Sequence, residues 1–323
     1  MRNILCVTLI ALLGGCTSTS VTEKYQDKRN DIINVKDKVI EFETGNVLIG
    51  SVSRLYMSNK CLLIADHKSV DKQIHIFNKN DFSYLTSIGN FGEGPEEITV
   101  MGCLAIDEAH HQLYVSDHAK QKIFSYDMDS VMVDSLYKPQ VKTAMNETLF
   151  PSEYQYINDT LSIAVLIKPT STSTFNQFLG RWNMNTGEMI PMKYTHPDIQ
   201  KKRITFAASE KAGIYVECYT RHDLMTICSL DGELLYNIYG PDWDGGNGMI
   251  GNDKIFVSYC GEDYARDSFP TKILVFDLEG NYLKTLETGY KISDCCYDSF
   301  NNRIILSLND VVQFAYLDID GII

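Results

Sequence analysis

Gln112-Leu113-Tyr114-Val115-Ser116-Asp117, followed after a polar turn by Lys122-Ile123-Phe124-Ser125-Tyr126-Asp127, is the stretch whose reading decides the fold. Each half has the length and residue types of a strand, and the second alternates apolar with polar residues. The same phrase stands one unit earlier as Cys61-Leu62-Leu63-Ile64-Ala65-Asp66 and then Gln73-Ile74-His75-Ile76-Phe77-Asn78. Looser copies follow at Thr160–Val165, Gly213–Val216, Lys254–Val257 and Arg303–Leu306. Their starts lie roughly 40 to 50 residues apart, the period at which strand repeats signify propeller blades. Six copies account for the chain. The fold expected is therefore all-β: a six-bladed β-propeller with four-stranded antiparallel blades.

Blades are expected at 47–88, 101–137, 151–194, 204–239, 249–286 and from 292 onward. In the first of them, Leu48, Val52 and Leu55 suit the inner strand. The last copy holds one strand too few, so the segment around Val39-Ile40-Glu41-Phe42 is expected to complete its sheet and close the ring. Trp182 falls on a third strand, and Asp231-Gly232 marks a hairpin turn. No helical period with caps interrupts the body.

Ahead of the body, Arg2 and the apolar run Ile4 to Leu13 read as a signal segment too short to span a bilayer as a finished helix. Leu13-Gly14-Gly15-Cys16 resembles the lipobox of bacterial lipoproteins. The resemblance implies cleavage before Cys16 and acylation of that residue, whose several chains would anchor it durably. The organisation expected is a signal peptide at 1–15, a lipidated flexible tether at 16–36 and the propeller at 37–323. Thr17-Ser18-Thr19-Ser20 after the cysteine, in place of an acidic run, favours a periplasm-facing outer-membrane anchor.

Ile88-Gly89-Asn90-Phe91-Gly92-Glu93-Gly94-Pro95, ahead of the Leu113 to Asp117 unit, resembles the glycine-rich inter-blade signature of NHL-type propellers. Together with Cys16 it makes the chain similar to the TolB-like, NHL-like six-bladed propeller lipoproteins of the Bacteroidetes. The likeness is strongest from Leu48 to Asp134 and rests on spacing beyond it. It implies a fold and a place in the cell envelope without a substrate. A phosphate cradle is excluded here, because Glu93, Glu96 and Glu97 would oppose an anion and no lysine follows the last glycine.

Asp66-His67 and Asp117-His118 occupy equivalent turns, where the aspartates read as caps of their own turns and the histidines as exposed neighbours. The sharper reading is a ligand-binding rim formed by Asp66, His67, Asp117, His118, Lys168, Arg221, His222, Glu262, Asp263 and Arg266, with Asp310 in the equivalent last turn. His110-His111 belongs to the opposite rim and has no metal motif around it. Asp242-Trp243-Asp244-Gly245-Gly246-Asn247 holds alternate oxygen ligands but lacks the terminal glutamate of a calcium loop. Nine cysteines less Cys6 and Cys16 leave seven, an odd number, with Cys218 and Cys228 the pair to test for a bridge. Cys295 and Cys296 should point to opposite faces of a strand. Asp129-Ser130-Val131, Asp134-Ser135-Leu136 and Asp159-Thr160-Leu161 resemble the acceptor tripeptide for O-glycosylation in exported Bacteroidetes proteins.

A formal net charge of −13 argues against a nucleic-acid partner. No nucleophile elbow, phosphate loop or zinc signature is present, so no catalytic residue, metal or cofactor is expected beyond the lipid on Cys16. These readings converge on a non-catalytic envelope lipoprotein whose rim binds a protein, peptide or glycan. The alternative is a propeller enzyme, a metal-dependent hydrolase or lyase, which needs carboxylates and imidazoles converging in the central funnel.

Overall fold

The computed structural model describes residues 22–323 except 135, 173, 200–202, 242–244 and 262–268. Three short strands come first: β1 (Glu23–Tyr25), β2 (Ile32–Asn34) and β3 (Val39–Glu41). Blade one is β4 (Ser53–Met57), β5 (Cys61–Asp66), β6 (Lys72–Asn78) and β7 (Tyr84–Asn90). Blade two is β8 (Met101–Asp107), β9 (Gln112–Asp117), β10 (Lys122–Asp127) and β11 (Gln140–Ala144). Blade three is β12 (Phe150–Asn158), β13 (Leu161–Pro169), β14 (Phe175–Trp182) and β15 (Met189–Pro191). Blade four is β16 (Ile204–Ser209), β17 (Ile214–Tyr219), β18 (Leu224–Ser229) and β19 (Leu234–Tyr239). Blade five is β20 (Gly245–Ile250), β21 (Lys254–Tyr259), β22 (Lys272–Asp277) and β23 (Tyr282–Glu287). Blade six contributes only β24 (Ile292–Asp298), β25 (Arg303–Leu308) and β26 (Phe314–Asp318).

Each blade runs antiparallel from its innermost strand outward. The second strand of a blade is largely apolar and buried because neighbouring blades cover both of its faces. Cys61–Asp66, Ile214–Tyr219 and Arg303–Leu308 are buried at every position. Successive side chains then serve different neighbours, as the period of two dictates. Leu63 and Ala65 join the core against blade two, whereas Leu62 and Ile64 join the core against blade six. Six such apolar clusters occur, one between each pair of neighbouring blades. Cys295 and Cys296 divide in the same way, toward blade five and blade one respectively.

The ring closes as expected. β3 pairs antiparallel with β26, Tyr316 opposite Ile40, and becomes the fourth strand of blade six. Phe42 then stacks on Phe82 of blade one with ring centroids 3.9 Å apart. The stretch expected as a flexible tether is corrected over its later part. β1 adds in parallel to β19 and β2 in parallel to β23, giving blades four and five a fifth strand each. The polar composition hid this, because edge pairing needs only free backbone N–H and C=O groups and no apolar period.

Three smaller expectations also change. A six-residue helix α1 (Met128–Val133) stands between β10 and β11, its N-terminus capped by Asp127 accepting from the Ser130 N–H. The outer strand of blade two therefore lies beyond the expected limit at 137. Leu48 and Val52 precede the inner strand of blade one and are exposed, leaving Leu55 alone of the three in the core. Cys218 lies opposite Met225 and Cys228 opposite Tyr215, so the strand register separates the two thiols and no bridge forms. Among the described residues, no helix is long and apolar enough to cross a membrane.

Candidate functional site

The turns between second and third strands all lie on one rim, and there the cap reading of the aspartates holds. Asp66 accepts from the backbone N–H groups of Gly50 at 2.7 Å and Lys68 at 2.9 Å. Asp117 accepts from Thr99, Val100, Ala119 and Lys120, which ties its own turn to the crossing from blade one. Lys120 donates to the carbonyls of Gly92, Gly94 and Glu97 and so fills the glycine-rich loop with protein. Glu97 lies close over Gly92, its Oε2 2.0 Å from where a Cβ would stand, so a side chain there would have to displace the Glu97 carboxylate.

The histidines are not the exposed neighbours that their sequence setting suggests. His67 and His118 each bury an Nε2 that has no hydrogen-bond partner. Burial lowers both imidazoles below their usual range, with Arg54 adding to the effect, so they remain neutral. His118 packs over Gly102, where a Cβ would lie 2.5 Å from Nε2. They fill space between blades and do not line the channel. Lys168 and Arg221 are exposed on the rim, and His222 is half-buried there. Glu262, Asp263 and Arg266 lie outside the described residues, as do Asp242 to Asp244.

The open space on the axis is a funnel of about 900 Å³ lined by the innermost strand of every blade. Its charged groups come from residues that the sequence reading passed over. Arg54 of blade one reaches Glu153 of blade three at 2.7 Å, both side chains being partly exposed. Cys103 of blade two also lines the funnel. Asp294 of blade six lies on the other side of Arg54 and accepts from the Leu55 N–H at 2.8 Å. Aligning the repeats on their second strands puts these residues at closely similar levels, Arg54 opposite Ala65, Glu153 opposite Val165 and Asp294 opposite Ser307. A charge in an apolar strand was the signal available. Irregular register obscured it, because β8, β12, β20 and β24 each carry a bulge near their start.

Side chains around the funnel also stitch neighbouring inner strands together. Asp294 holds Leu55, the Leu104 N–H bonds the Tyr56 hydroxyl, and the Tyr154 N–H bonds Cys103. The Gln155 amide exchanges two hydrogen bonds with the backbone of Ala208, at 2.7 and 2.8 Å. Inner strands have no further strand to pair with on the axis side, so these contacts satisfy backbone groups that the blade itself leaves open. Burial raises the Asp294 carboxyl to about 6, although the Leu55 N–H and Arg54 both oppose the shift. Burial likewise pushes the Cys103 thiol up to about 12, which keeps it protonated and unreactive.

On the opposite face, Asp107, His110 and Asp159 bring possible ligand atoms within 4.8 Å of one another. The set is closed by its own hydrogen bonds. His110 Nδ1 lies 2.8 Å from Asp107 Oδ2, Tyr114 donates to the same oxygen, and Tyr156 donates to Asp159 at 2.7 Å. The hydrogen bond to Asp107 raises the imidazole above its usual range, so the trio behaves as an ion pair with a second carboxylate nearby. Asp66, His67, Asp117 and His118 do not form a comparable group, because the aspartates are spent on turns and the imidazoles on packing.

Comparison with known proteins agrees with this architecture. The DUF5128 family model, described as a 6-bladed beta-propeller, matches residues 17–176. A solved structure of a member of the duf4221 family from Bacteroides vulgatus superposes with a TM-score of 0.58 at 12% identity, covering 90% of this chain and 98% of that one. A protein of Bacteroides fragilis described as exported gives a TM-score of 0.56 at 12% identity, covering 88% and 87%. A luciferin-regenerating enzyme gives 0.57 at 8% identity, covering 86% and 93%. At such identities the likeness shows the fold alone. No curated protein matches the chain.

Proposed function

We propose that the protein is a non-catalytic binding module of the bacterial envelope, anchored through lipid on Cys16, which grips a polypeptide partner with the funnel rim. The observation that carries this reading is the set of apolar side chains exposed on the rim that holds the turns between second and third strands. Leu48 is 94% exposed, Val70 81% and Val311 98%, and Phe91, Phe175 and Phe269 stand on the same rim. Single exposed apolar residues need no explanation, but several of them gathered on one rim mark an interaction surface. The neighbour from Bacteroides fragilis described as exported supports an envelope setting. The TolB-like and NHL-like resemblance supports the same setting. An anchor at Cys16 leaves only five residues, Thr17 to Val21, before Thr22, a reach of about 20 Å, so the body would sit close to the bilayer.

Site-specific photo-crosslinking in cells tests the reading. A crosslinker at Val311 or Val70 is expected to give one discrete protein adduct, weakened when the other position is changed to aspartate. Phe300, 78% exposed on the opposite face, is the matched control. Adducts at Phe300 but none at the rim positions overturn the proposal. One observation favours a second reading, an enzyme using funnel chemistry: Asp294, raised to about 6 beside Arg54 and Glu153, has the acidity of a general acid or base. Hydrolytic turnover that disappears in Asp294→Asn would establish it.

A further inference from the structure

The chain that leads to Cys16 leaves the ring at one place. The Thr22 carbonyl accepts from the Asn237 N–H at 2.8 Å, and Tyr25 of β1 lies opposite Tyr239. Thr22 therefore stands halfway along β19, on the outer edge of blade four and on neither rim. A reach of about 20 Å from that point holds an acylated Cys16 near the perimeter of blades four and five. The perimeter of blade one lies across the ring from it.

The surface at that perimeter suits contact with lipid. Tyr25 of β1 is 66% exposed and Ile32 of β2 51%, and Leu283 of the adjoining β23 is exposed as well. Lys28, Lys36 and Lys38 stand exposed on the same segment. Residues 22–38 hold five basic side chains against four acidic ones, a net +1 in a chain whose formal charge is −13. Tyrosine, aliphatic residues and outward-reaching lysines are the groups that settle where headgroups meet acyl chains. The turns between first and second strands offer the reverse. Glu108, Asp159, Glu210 and Asp253 are exposed there, and anionic headgroups repel them.

Resting on the lipid-anchor reading above, we infer that the outer edge of blades four and five, covered by β1 and β2, lies against the lipid bilayer. The propeller then stands edge-on, with its funnel axis along the membrane surface and both rims open. A partner reaches the loop rim from the side, without entering the gap between protein and lipid.

Fluorescence quenching by a spin-labelled lipid tests this on the full-length lipidated protein, in vesicles of phosphatidylethanolamine and phosphatidylglycerol. A fluorescent amino acid is placed in turn at Ile32, Leu283, Val311, Phe300 and Val133, all exposed positions. Probes at Ile32 and Leu283 are expected to lose about half of their emission or more, as groups seated in the headgroup boundary do. Probes at Val311 on the loop rim, Phe300 on the other rim and Val133 at the edge of blade two should keep theirs. Lys28→Glu combined with Lys38→Glu should reduce the loss at Ile32 about twofold, since both charges then face anionic lipid with the wrong sign. Quenching strongest at Val311, Phe300 or Val133, or none at Ile32 and Leu283, overturns the edge-on assignment. So does a loss at Ile32 that ignores the lysine reversal. The mass of the Cys16 peptide judges the anchor separately. Should it carry no acyl chain, the anchor reading fails, and the same probes are read on protein held to nickel-chelating vesicles by a histidine tag inserted after Cys16. Quenching at Ile32 and Leu283 alone still supports the lipid-facing edge there, and any other pattern overturns it.

Discussion

Asp294 illustrates, at the scale of one residue, a position kept at the expense of stability. Its carboxyl is half-buried in the funnel wall and raised to about 6, while Arg54 of β4 already answers Glu153 of β12, and the Tyr56 hydroxyl also faces it. A carboxyl whose folded-state acidity is weakened binds a proton that the unfolded chain has released. Between the ordinary carboxylate range and about pH 6, stability on its account therefore falls as pH rises, and the deficit is complete above pH 6. Asp294→Asn removes the charge and retains the acceptor for Leu55. We expect it to raise the melting temperature at pH 7.5 by about 2 °C, as a gain of about 1 kcal/mol would in a chain of this size. The difference should vanish at pH 4, where the wild-type group is protonated. Calorimetry at the two pH values checks this, and a variant less stable than wild type at pH 7.5 would contradict it.

At the scale of elements, the segment carrying β1 and β2 works as a strap across blades four and five. Its strands are three residues long, so most of the hold comes from side chains between them. Arg29 places Nη1 2.8 Å from both oxygens of Asp223, with each side chain only 7% exposed. Its guanidinium lies 5.7 Å from the Tyr259 ring and 5.5 Å from the Phe276 ring. Tyr25 stacks on Tyr239 at 4.7 Å, and Lys24 lies over Tyr236 at 3.8 Å. Removing one member of a buried ion pair takes the opposite charge away from the other, at a cost of about 3–5 kcal/mol. Arg29→Met is expected to destabilise the protein by that order in urea unfolding. Adding Asp223→Asn should recover part of the loss, and a single variant as stable as wild type would show that the strap is not held there. The strap was illegible in the sequence for the same physical reason that the blades were legible. Leu62 to Ala65 announce a strand because both faces must be covered, and Asp66 announces a turn because its oxygens find nearby N–H groups. Glu23-Lys24-Tyr25 carries no apolar period of its own, and its contacts, like that of Arg29 to a partner 194 residues away, lie far off in the chain. Arg54, Glu153 and Asp294 were equally hard to find, since their meeting depends on ring closure and on bulges that no local pattern announces.

For the whole molecule, the decisive feature is a ring whose two ends are joined without a covalent bond. The seam between blades six and one has β3 on β26, the Phe42–Phe82 stack and a buried charge cluster. In that cluster Lys79 of blade one lies 3.2 Å from Asp298 of blade six, and Arg303 Nε lies 3.3 Å from the same carboxylate. Arg303 also donates to the Lys79 carbonyl and packs between Phe82 and Tyr316. Burial works to raise Asp298, but hydrogen bonds from Asn301 and the charge of Lys79 hold it below the usual carboxylate range. A depressed folded-state value means that the group's stabilising contribution is present above the ordinary range and lost as pH falls through the lowered value. Acid should therefore loosen the seam before it touches the other inter-blade cores, most of which are apolar. Asp298→Asn keeps the shape and removes the charge, leaving Lys79 and Arg303 buried together. It is expected to cost about 3 kcal/mol at pH 7. The gap from wild type should narrow steadily below pH 4, as the wild-type carboxylate becomes protonated and its own advantage disappears. Urea unfolding at pH 7 and pH 3 measures both quantities. A variant equal to wild type at pH 7, or a gap that persists unchanged in acid, would mean that the ring is closed by its strands and aromatic rings alone.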